Sequence, residues 1–301
     1  MIITRLSGGL GNQMFQYATA RALASRNKTS LYLDISSYTS DYHKNAPRTF
    51  ELDQFNIQAD IAQLENFKTL GIPNSLSQKL QTKIKRRLYK MIEKLKPLYK
   101  RKYILEKTYN FSPEVYRAGP DCFLSGVWQS EKYFKDIENI IKKEFILKNE
   151  PLIITKNLIE AIETCNSVSL HIRRGDYVSD KKTNQFHGSC PAEYYEKAIQ
   201  IVSEKVPDPT FFIFSDDMEW AKNNLKINYQ TNFVSDKNIP DYEEIIIMSK
   251  CKHNIIANSS FSWWGAWLNE NKSKIVIAPQ KWFSSDNIDT KDLIPQTWTR
   301  L

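Results

Sequence analysis

The stretch Ser167-Val168-Ser169-Leu170-His171-Ile172-Arg173-Arg174-Gly175-Asp176 decides the fold of this chain. It opens as a short apolar run and closes on two arginines, a glycine and an aspartate. A short continuous apolar run is typical of a strand buried on both faces of a parallel sheet. Ligands of open α/β sheets bind beyond the carboxyl ends of the strands, so the polar end of this stretch predicts a binding site.

The sequence around this stretch repeats the alternation of strand and helix. Further strand-like runs are present at residues 210–214, 254–257 and 274–278. Helical patterns lie between the strands, at residues 191–204, 216–225, 241–250 and 261–269. The amino-terminal half opens with a strand at 2–6, a glycine turn at 8–11, a helical pattern to residue 23 and a strand at 31–34. We therefore predict an α/β fold with two domains, residues 1–155 and a Rossmann-like domain at 156–301.

Composition limits the class of protein. The 301 residues are 41% apolar and carry a formal charge of +8, which disfavours disorder and suggests an anionic partner. Such a partner is a phosphorylated small molecule, an acidic membrane face or nucleic acid. The four cysteines are scattered without a CxxC pair, which predicts buried or incidental thiols in a reducing compartment rather than a disulfide framework or zinc site.

The sequence shows neither a signal peptide nor a transmembrane segment. The opening residues 1–8 lack the basic start and apolar run of a signal peptide, and the chain has no run of about 18 apolar residues. The expectation is a cytoplasmic protein, which a basic segment at residues 79–107 would bring to the inner face of the cytoplasmic membrane. Apolar residues recur there at helical spacing, at Ile84, Leu88, Met91, Ile92 and Leu95. Two interpretations stay open: a solvated helix packed by one face, or a basic helix resting on an anionic membrane surface.

The arginine pair Arg173-Arg174 is the strongest sign of a binding site. Burying a guanidinium without a partner is costly, and an anion offsets that cost. Arginine presents a planar fork of donors that matches phosphate oxygens and cannot lose its charge. Gly175 permits close approach of the backbone, and Asp176 can orient one guanidinium. The alternative is a surface cluster of salt bridges.

Three further polar segments follow predicted strands. Residues 258–262 start a helix, where Ser260, Phe261 and Ser262 offer N–H and hydroxyl groups to an anion, or a serine simply caps the helix. Asp216 and Asp217 can accept from the donor edge of guanine, or cap a helix. Residues 7–13 lack the third glycine of a dinucleotide motif, but Gly11 and Asn12 can approach a ligand. The tryptophans Trp263, Trp264 and Trp267 are expected in the core rather than as a sugar-stacking platform.

No Asp-x-Asp motif or metal-ligand cluster is apparent in the sequence. If a diphosphate leaves from this site, arginine and helix N-termini must neutralise its charge in place of a divalent cation. We therefore expect no metal and no cofactor, and activity that survives EDTA.

Four segments together resemble one family, the bacterial α-1,2-fucosyltransferases of glycosyltransferase family eleven. The segments are residues 8–18 (GGLGNQMFQYA), 171–178 (HIRRGDYV), 214–217 (FSDD) and 258–266 (NSSFSWWGA). The resemblance spans nearly the whole chain, although HxRRxD alone also recurs in α-1,6- and protein O-fucosyltransferases. It implies a GT-B fold of two Rossmann-like domains facing across a cleft, and metal-independent, inverting transfer from GDP-β-L-fucose to the 2-hydroxyl of a terminal β-galactoside. The implied role is surface polysaccharide or O-antigen synthesis.

The resemblance also implies roles for residues. The donor domain would be residues 156–301, with the last residues packing back on an acceptor domain at 1–155. Arg173 would grip the β-phosphate, His171 and Asp217 would face guanine, and Asn12 would lie close to fucose or the diphosphate. The remaining donor contacts would be Arg174, Asp216, Ser260, Phe261 and Ser262.

The general base and the acceptor contacts are less defined. Asp176 is a candidate base, although an aspartate beside arginine is commonly its structural partner. His187 is a second candidate, and transfer of the proton to the donor phosphate is a third. Possible acceptor contacts, each expected to be structural, are Asp34, His43, Arg48 and Trp128.

Competing functions also remain open. One is a transferase of the same architecture with another nucleotide sugar or linkage. A basic nucleic-acid-binding protein is supported only by charge, and no recognised nucleic-acid module is present. A sugar-binding module without catalysis leaves Arg173 and Arg174 without an anionic partner.

Overall fold

A computed structural model describes residues 1–39, 48–72 and 80–301. The chain forms two compact units. The first comprises Met1–Lys148 with Lys291–Leu293, and the second comprises Asn149–Thr290 with Ile294–Leu301. His43, one of the predicted acceptor contacts, lies outside the described residues.

The first unit contains a five-stranded sheet in which all described strand pairs are parallel. Its strands are β1 (Ile2–Arg5), β2 (Leu31–Asp34), β3 (Asp60–Ile61), β4 (Tyr103–Leu105) and β5 (Cys122–Ser125), in the order β3-β2-β1-β5-β4. Its helices are α1 (Leu10–Asn27), α2 (Ser36–Thr39), α3 (Leu64–Leu70), α4 (Leu80–Lys94), α5 (Pro113–Tyr116) and α6 (Glu138–Glu144). The predicted strand at 31–34 is confirmed, and the glycine turn leads into α1 as expected.

The second unit contains a six-stranded parallel sheet. Its strands are β6 (Asn166–Ile172), β7 (Pro209–Ser215), β8 (Thr231–Phe233), β9 (His253–Ile255), β10 (Val276–Ala278) and β11 (Thr299–Arg300). Its helices are α7 (Ile153–Glu163), α8 (Gly175–Ser179), α9 (Lys181–His187), α10 (Ala192–Ser203), α11 (Met218–Asn224), α12 (Asp241–Lys250) and α13 (Ser260–Leu268). The order β8-β7-β6-β9-β10-β11 is the Rossmann order 3-2-1-4-5-6, which places the switch point between β6 and β9.

The core of the second unit explains why its strands are apolar throughout. Every residue of β7 is buried, because helices cover both faces of a doubly wound sheet. Trp263 and Trp264 are fully buried and Trp267 is 4% exposed. Their predicted place in the core is confirmed, and none of them offers a surface for a sugar to stack on. The four cysteines are free and at least partly buried, as predicted.

The basic segment forms α4, but its packing corrects one interpretation. In the first of the two interpretations the apolar stripe packs on the protein, yet its residues are all more than half exposed: Ile84, Leu88, Met91, Ile92 and Leu95. The helix packs instead through Tyr89, which contacts the core of the first unit, and through the buried Glu93. Among residues 1–39, 48–72 and 80–301, no helix is long and apolar enough to cross a membrane.

Candidate functional site

The carboxyl ends of β6 and β7 bring the predicted site residues of the second unit together. The two strands pair in parallel with His171 opposite Phe214 and Ile172 opposite Ser215. The next residue of each strand, Arg173 and Asp216, therefore leaves the sheet at the same edge. This edge lies beside the switch point, where ligands of doubly wound sheets bind.

Arg173 is fixed by two carboxylates. Its Nη2 donates to Oδ1 of Asp176 at 2.6 Å, and its Nη1 lies 2.9 Å from Oδ2 of Asp216. Its guanidinium also lies over the ring of Tyr177, 5.4 Å from the centroid. Burial alone would lower the pKa of Arg173, but Asp216 and Asp176 raise it above its ordinary value. The side chain is 21% exposed and remains charged, with donors beyond the two that the carboxylates engage.

Arg174 is held against α11. Its Nε lies 3.3 Å from Oδ2 of Asp217, and its guanidinium lies over Trp220 at 4.2 Å from the ring centroid. Its backbone N–H donates to Oδ1 of Asp216 at 2.7 Å. Asp216 thus binds both the Arg173 side chain and the Arg174 backbone, which ties the loop after β6 to the loop after β7.

Gly175 and Asp217 show how the local sequence builds this loop. A Cβ at Gly175 would lie 2.8 Å from Oδ2 of Asp216, so the predicted close approach involves this carboxylate. Asp217 is the N-cap of α11 and accepts from the Trp220 N–H at 3.1 Å. The cap that was predicted for the Asp216-Asp217 pair is Asp217 alone, because Asp216 is engaged by the arginines.

His171 is enclosed at the end of β6. It is 4% exposed, and its ring centroid lies 5.6 Å from that of Phe261. Burial lowers the pKa of His171 to about 3, with Arg173 acting in the same direction and Asp216 against it. The imidazole is therefore neutral at physiological pH. Its Nδ1 is buried and has no hydrogen-bond partner among the residues that the structure describes. A neutral imidazole nitrogen can donate to or accept from a ligand.

The start of α13 lies at the same edge, following β9. Ser259 is the N-cap, and its Oγ accepts from the Phe261 N–H at 3.3 Å. Ser260 and Phe261 are partly exposed, whereas Ser262 is 1% exposed and donates to the Ser259 carbonyl at 3.3 Å. The capping serine is thus Ser259, and the Ser262 hydroxyl is occupied within the helix. The first turn still directs backbone N–H groups outward, as anion sites at helix N-termini require.

Residues 173–174, which we call the arginine loop, are supported by a second layer of side chains that includes His187. Tyr177 stacks on His187 with ring centroids 4.7 Å apart, and its hydroxyl donates to the Asn258 carbonyl at 3.3 Å. The Asn258 amide donates to the carbonyls of His187 at 3.0 Å and Gly188 at 3.1 Å. Burial lowers the pKa of His187. His187 is therefore a neutral packing residue under Tyr177, and Asn258, the first residue of the NSSFS segment, is structural.

The charges of this cluster nearly cancel. Arg173 and Arg174 face Asp176, Asp216 and Asp217, so an added anion would depend on the N–H groups of α13 as well as on the arginines. Asp216 and Asp217 retain free lone pairs with which carboxylates accept donor groups such as those of guanine. In the part of the chain that the structure describes, no three His, Cys, Asp or Glu side chains are grouped as ligands for a metal ion.

Asn12 lies in the first unit, in the first turn of α1. Its Oδ1 accepts from Nε2 of Gln129 at 2.8 Å. Gly8 has a φ of 80°, and a Cβ there would lie 2.7 Å from the Asn12 amide, so only glycine fits beside this side chain. Two buried glutamines of α1 then anchor the surrounding loops: Gln13 donates to Thr49 at 2.8 Å and Gln16 donates to Gly126 at 3.0 Å.

The segment that holds Asn12 is itself unusual. Trp128 is fully buried with a φ of 56°, a conformation that costs energy for a bulky residue and is often found at functional sites. The carboxylate of Glu106, just after β4, stabilises it by accepting from the N–H groups of Val127 at 2.6 Å and Trp128 at 3.0 Å. Burial raises the pKa of Glu106 to about 7, although these two bonds oppose the shift. Neither Glu106 nor Gln129 was predicted from the sequence.

The other acceptor contacts that the sequence predicted in the first unit are Asp34, Trp128 and Arg48. Asp34 is 2% exposed and lies 3.2 Å from Nε of Arg5, and Trp128 is in the core. Arg48 lies beside the glycine turn, with Nη1 3.8 Å from the position of a Cβ at Gly9. The burial of the Asp34 and Trp128 side chains agrees with the expectation that they are structural.

Glu244 is a further carboxyl group, outside the residues that the sequence predicted for the site. It lies in the first turn of α12, and burial raises its pKa to about 7, with Asp241 and Asp216 adding to the shift and a hydrogen bond to Ser235 opposing it. Ser235 Oγ in turn accepts from the Ser215 N–H at 3.0 Å. Glu244 is thus linked to the end of β7, where Asp216 begins the site.

Comparison with known proteins decides the family. The family model described as glycosyl transferase family 11 matches residues 1–301. The chain belongs to this family. It is 37% identical to the O-antigen biosynthesis glycosyltransferase WbnK of Escherichia coli over 98% of this chain and 99% of that protein. It is 35% identical to an α-1,2-colitosyltransferase of Escherichia coli over 100% of this chain and 99% of that protein.

A solved structure supports the fold of this glycosyltransferase. The α-1,6-fucosyltransferase NodZ from Bradyrhizobium, soaked with GDP-fucose, matches with a TM-score of 0.50 at 13% identity. The match covers 89% of this chain and 91% of NodZ. This match, together with the two parallel sheets that this chain forms in separate units, confirms the predicted GT-B type.

Proposed function

We propose that this glycosyltransferase transfers L-fucose, with inversion, from GDP-β-L-fucose to the 2-hydroxyl of a terminal β-galactoside during O-antigen or surface polysaccharide synthesis. The observation that carries the proposal is the fixed guanidinium of Arg173 at the switch point of the second sheet. Two carboxylates set its orientation before any ligand binds. A preoriented cation of this kind is suited to a diphosphate whose charge grows as the sugar leaves.

The reaction breaks the bond between fucose C1 and the β-phosphate oxygen while the acceptor hydroxyl attacks C1 from the opposite face. The proton of that hydroxyl passes to the departing diphosphate. Negative charge develops on GDP, and Arg173 with the N–H groups at the start of α13 lies where it can stabilise that charge. Asp216 and Asp217 are assigned to the donor groups of guanine, beside the neutral His171. Arg174 completes this donor site through its contact with Asp217.

Asp176 is assigned as a positioning residue rather than the general base. Its carboxylate already accepts from the Arg173 guanidinium at 2.6 Å, and a hydrogen bond of this kind fixes the orientation of the arginine. Asn12, held by Gln129 in the first unit, is assigned to the sugar end of the reaction. The first unit would then bind the acceptor, and the second the nucleotide.

A second donor is favoured by a specific observation. The α-1,2-colitosyltransferase of Escherichia coli is 35% identical over the full length of this chain, and colitose is fucose without its 3-hydroxyl. GDP-fucose and GDP-colitose share the guanine and diphosphate that the arginine loop would bind. The residues assigned here to GDP serve both sugars equally, so the two donors must be compared directly.

The test is a donor and acceptor matrix with purified protein. GDP-fucose, GDP-colitose and GDP-mannose are each incubated with a panel of β-galactosides, and GDP release, product mass and NMR linkage are measured. The expected result is transfer of fucose to galactose O2 with the α configuration. Preferred turnover of GDP-colitose would replace the donor in the proposal, and transfer only from GDP-mannose or to another hydroxyl would overturn it.

A further inference from the structure

We propose that α4 docks this glycosyltransferase onto an anionic phospholipid surface through its exposed apolar stripe. The stripe consists of Ile84, Leu88, Met91, Ile92 and Leu95, which are 51%, 54%, 64%, 59% and 87% exposed. This inference goes beyond the proposed reaction and does not depend on which sugar is transferred.

α4 is attached to the protein by the side opposite its apolar stripe. At about 3.6 residues per turn, Tyr89 and Glu93 lie on the side of the helix roughly opposite Ile84 and Leu95. That side is the one attached to the protein. Glu93 accepts from the N–H of Lys102 at 2.5 Å and of Tyr103 at 3.3 Å. The polar side is thereby fixed inward, which leaves the apolar stripe outward.

The neighbouring Lys90 strengthens this attachment. Its Nζ lies 4.6 Å from the centroid of the Tyr103 ring, and Tyr89 packs against the core formed by residues such as Phe67 and Phe123. Rotating α4 to bury the stripe would break these contacts. It would also leave the N–H groups of Lys102 and Tyr103 without the Glu93 carboxylate. The outward stripe is therefore a property of the folded unit.

The positive charge around α4 identifies an anionic bilayer as the surface that the stripe binds. Lys85 flanks the stripe on one side, and Arg87 and Lys94 flank it on the other, all three exposed. Residues 80–102 contain ten Lys and Arg and one Glu, a net charge of +9, whereas the whole chain carries +8. The excess positive charge of the protein is thus concentrated around this helix. An apolar stripe bordered by lysine and arginine matches a bilayer with anionic headgroups, because the stripe enters the acyl boundary while the long basic side chains reach the phosphates.

The proposal predicts binding to lipid vesicles without any substrate. Full-length protein is floated with vesicles of phosphatidylcholine alone and with vesicles that also contain phosphatidylglycerol, at low and high salt. We expect flotation with the anionic vesicles, weakening at high salt. Leu88→Ser with Met91→Ser should reduce the affinity roughly tenfold or more. Lys85→Gln, Arg87→Gln and Lys94→Gln together should reduce it on the order of 100-fold.

The matched control is Ile153→Ser with Ile154→Ser on α7, where the side chains are 78% and 42% exposed. This pair removes as much exposed apolar surface from another helix and should leave flotation unchanged. Thermal melting shows whether each variant is folded, and all the substituted side chains are exposed. No flotation of the wild type, equal flotation of the Leu88 and Met91 variant, or equal binding to neutral vesicles would overturn the proposal. So would a wild-type dimer in analytical ultracentrifugation that the same variant converts to monomer.

Discussion

Arg173 and Asp216 form an ion pair of 2.9 Å between the first residue after β6 and the first residue after β7. The pair crosses the carboxyl edge of the second sheet, and Asp216 also accepts from the Arg174 N–H at 2.7 Å. The guanidinium is consequently positioned by the strands themselves rather than by a loose loop. A group that is already oriented loses little conformational freedom when an anion binds.

Arg173→Ala should therefore reduce both GDP affinity and turnover, the turnover on the order of 100-fold or more. Arg173→Lys should recover only part of the loss, because lysine keeps the charge but not the fork of donors. GDP binding is measured by calorimetry and turnover by GDP release. The exposed Arg117→Ala serves as the control for an arginine outside the site. A folded Arg173→Ala protein with nearly full turnover would contradict the assignment.

The two roles considered for Asp176 make opposite predictions. Asparagine still accepts from Arg173 but is no base, whereas alanine removes both properties. If Asp176 positions Arg173, Asp176→Asn should keep turnover within about tenfold and Asp176→Ala should lose much more, since hydrogen bonds to charged groups contribute about 1.5–3 kcal/mol.

The measurement is kcat and KM across pH for both variants. A positioning role predicts a higher KM for the donor and an unchanged shape of the pH profile. Equal loss of kcat in both variants, with the acidic limb of the profile removed, would identify Asp176 as the base instead.

The sequence predicted what depends on local pattern. Apolar runs gave the strands, and parallel strands necessarily place Arg173 and Asp216 at one edge. Pattern did not predict which partner each side chain takes, as with Asp217 rather than Asp216 capping α11. The periodicity of α4 showed which residues share a face. It did not show that Glu93 would turn the opposite face inward, because that depends on the distant backbone of Lys102 and Tyr103.

The support of Asn12 was also beyond the sequence. A positive φ is usually marked by glycine or asparagine, and Trp128 gives no such sign. Glu106 stabilises this residue from 22 positions earlier in the chain, through the parallel pairing of β4 and β5. Only the folded sheet brings the two together.

Gln129 should matter for turnover more than for stability. Gln129→Ala removes the donor to the Asn12 side chain, so that Asn12 can rotate away from its position beside Gly8. We expect turnover to fall about tenfold, because the loss of one hydrogen bond costs about 1 kcal/mol. The affinity for GDP should be unchanged. Gln63→Ala, at the exposed start of α3, is the matched control. Unchanged turnover in a folded Gln129→Ala protein would remove Asn12 and Gln129 from the site.

Glu244 should make the protein less stable as pH rises toward neutrality. Its pKa is raised to about 7 in the fold, against an ordinary value of 4.5. Between these values the folded state keeps a proton that the unfolded state has released, so the free energy of unfolding decreases as pH rises. Glu244→Gln removes this penalty. At pH 8 the variant should gain roughly 2–4 °C in Tm over the wild type for each kcal/mol of this penalty. The gain should be much smaller at pH 5, which lies just above the ordinary pKa.

The control for this prediction is Glu219→Gln, an exposed glutamate of α11. Other titrations, including that of His171, affect wild type and variant alike, so the difference in Tm isolates Glu244. A difference that is the same at pH 5 and pH 8, or largest at pH 5, would contradict the raised pKa.

Divalent metal should be dispensable for the reaction. In the proposed reaction, the guanidinium of Arg173 and the N–H groups at the first turn of α13 would stabilise the leaving diphosphate, the role that Mg²⁺ or Mn²⁺ has in other transferases. Turnover of the wild type should therefore be equal in excess EDTA and in added Mn²⁺. If a metal ion and Arg173 perform the same task, Mn²⁺ should partly restore Arg173→Ala, and we expect no such rescue. Loss of wild-type turnover in EDTA that Mn²⁺ restores would show that a cation, rather than Arg173 and α13 alone, neutralises the departing GDP.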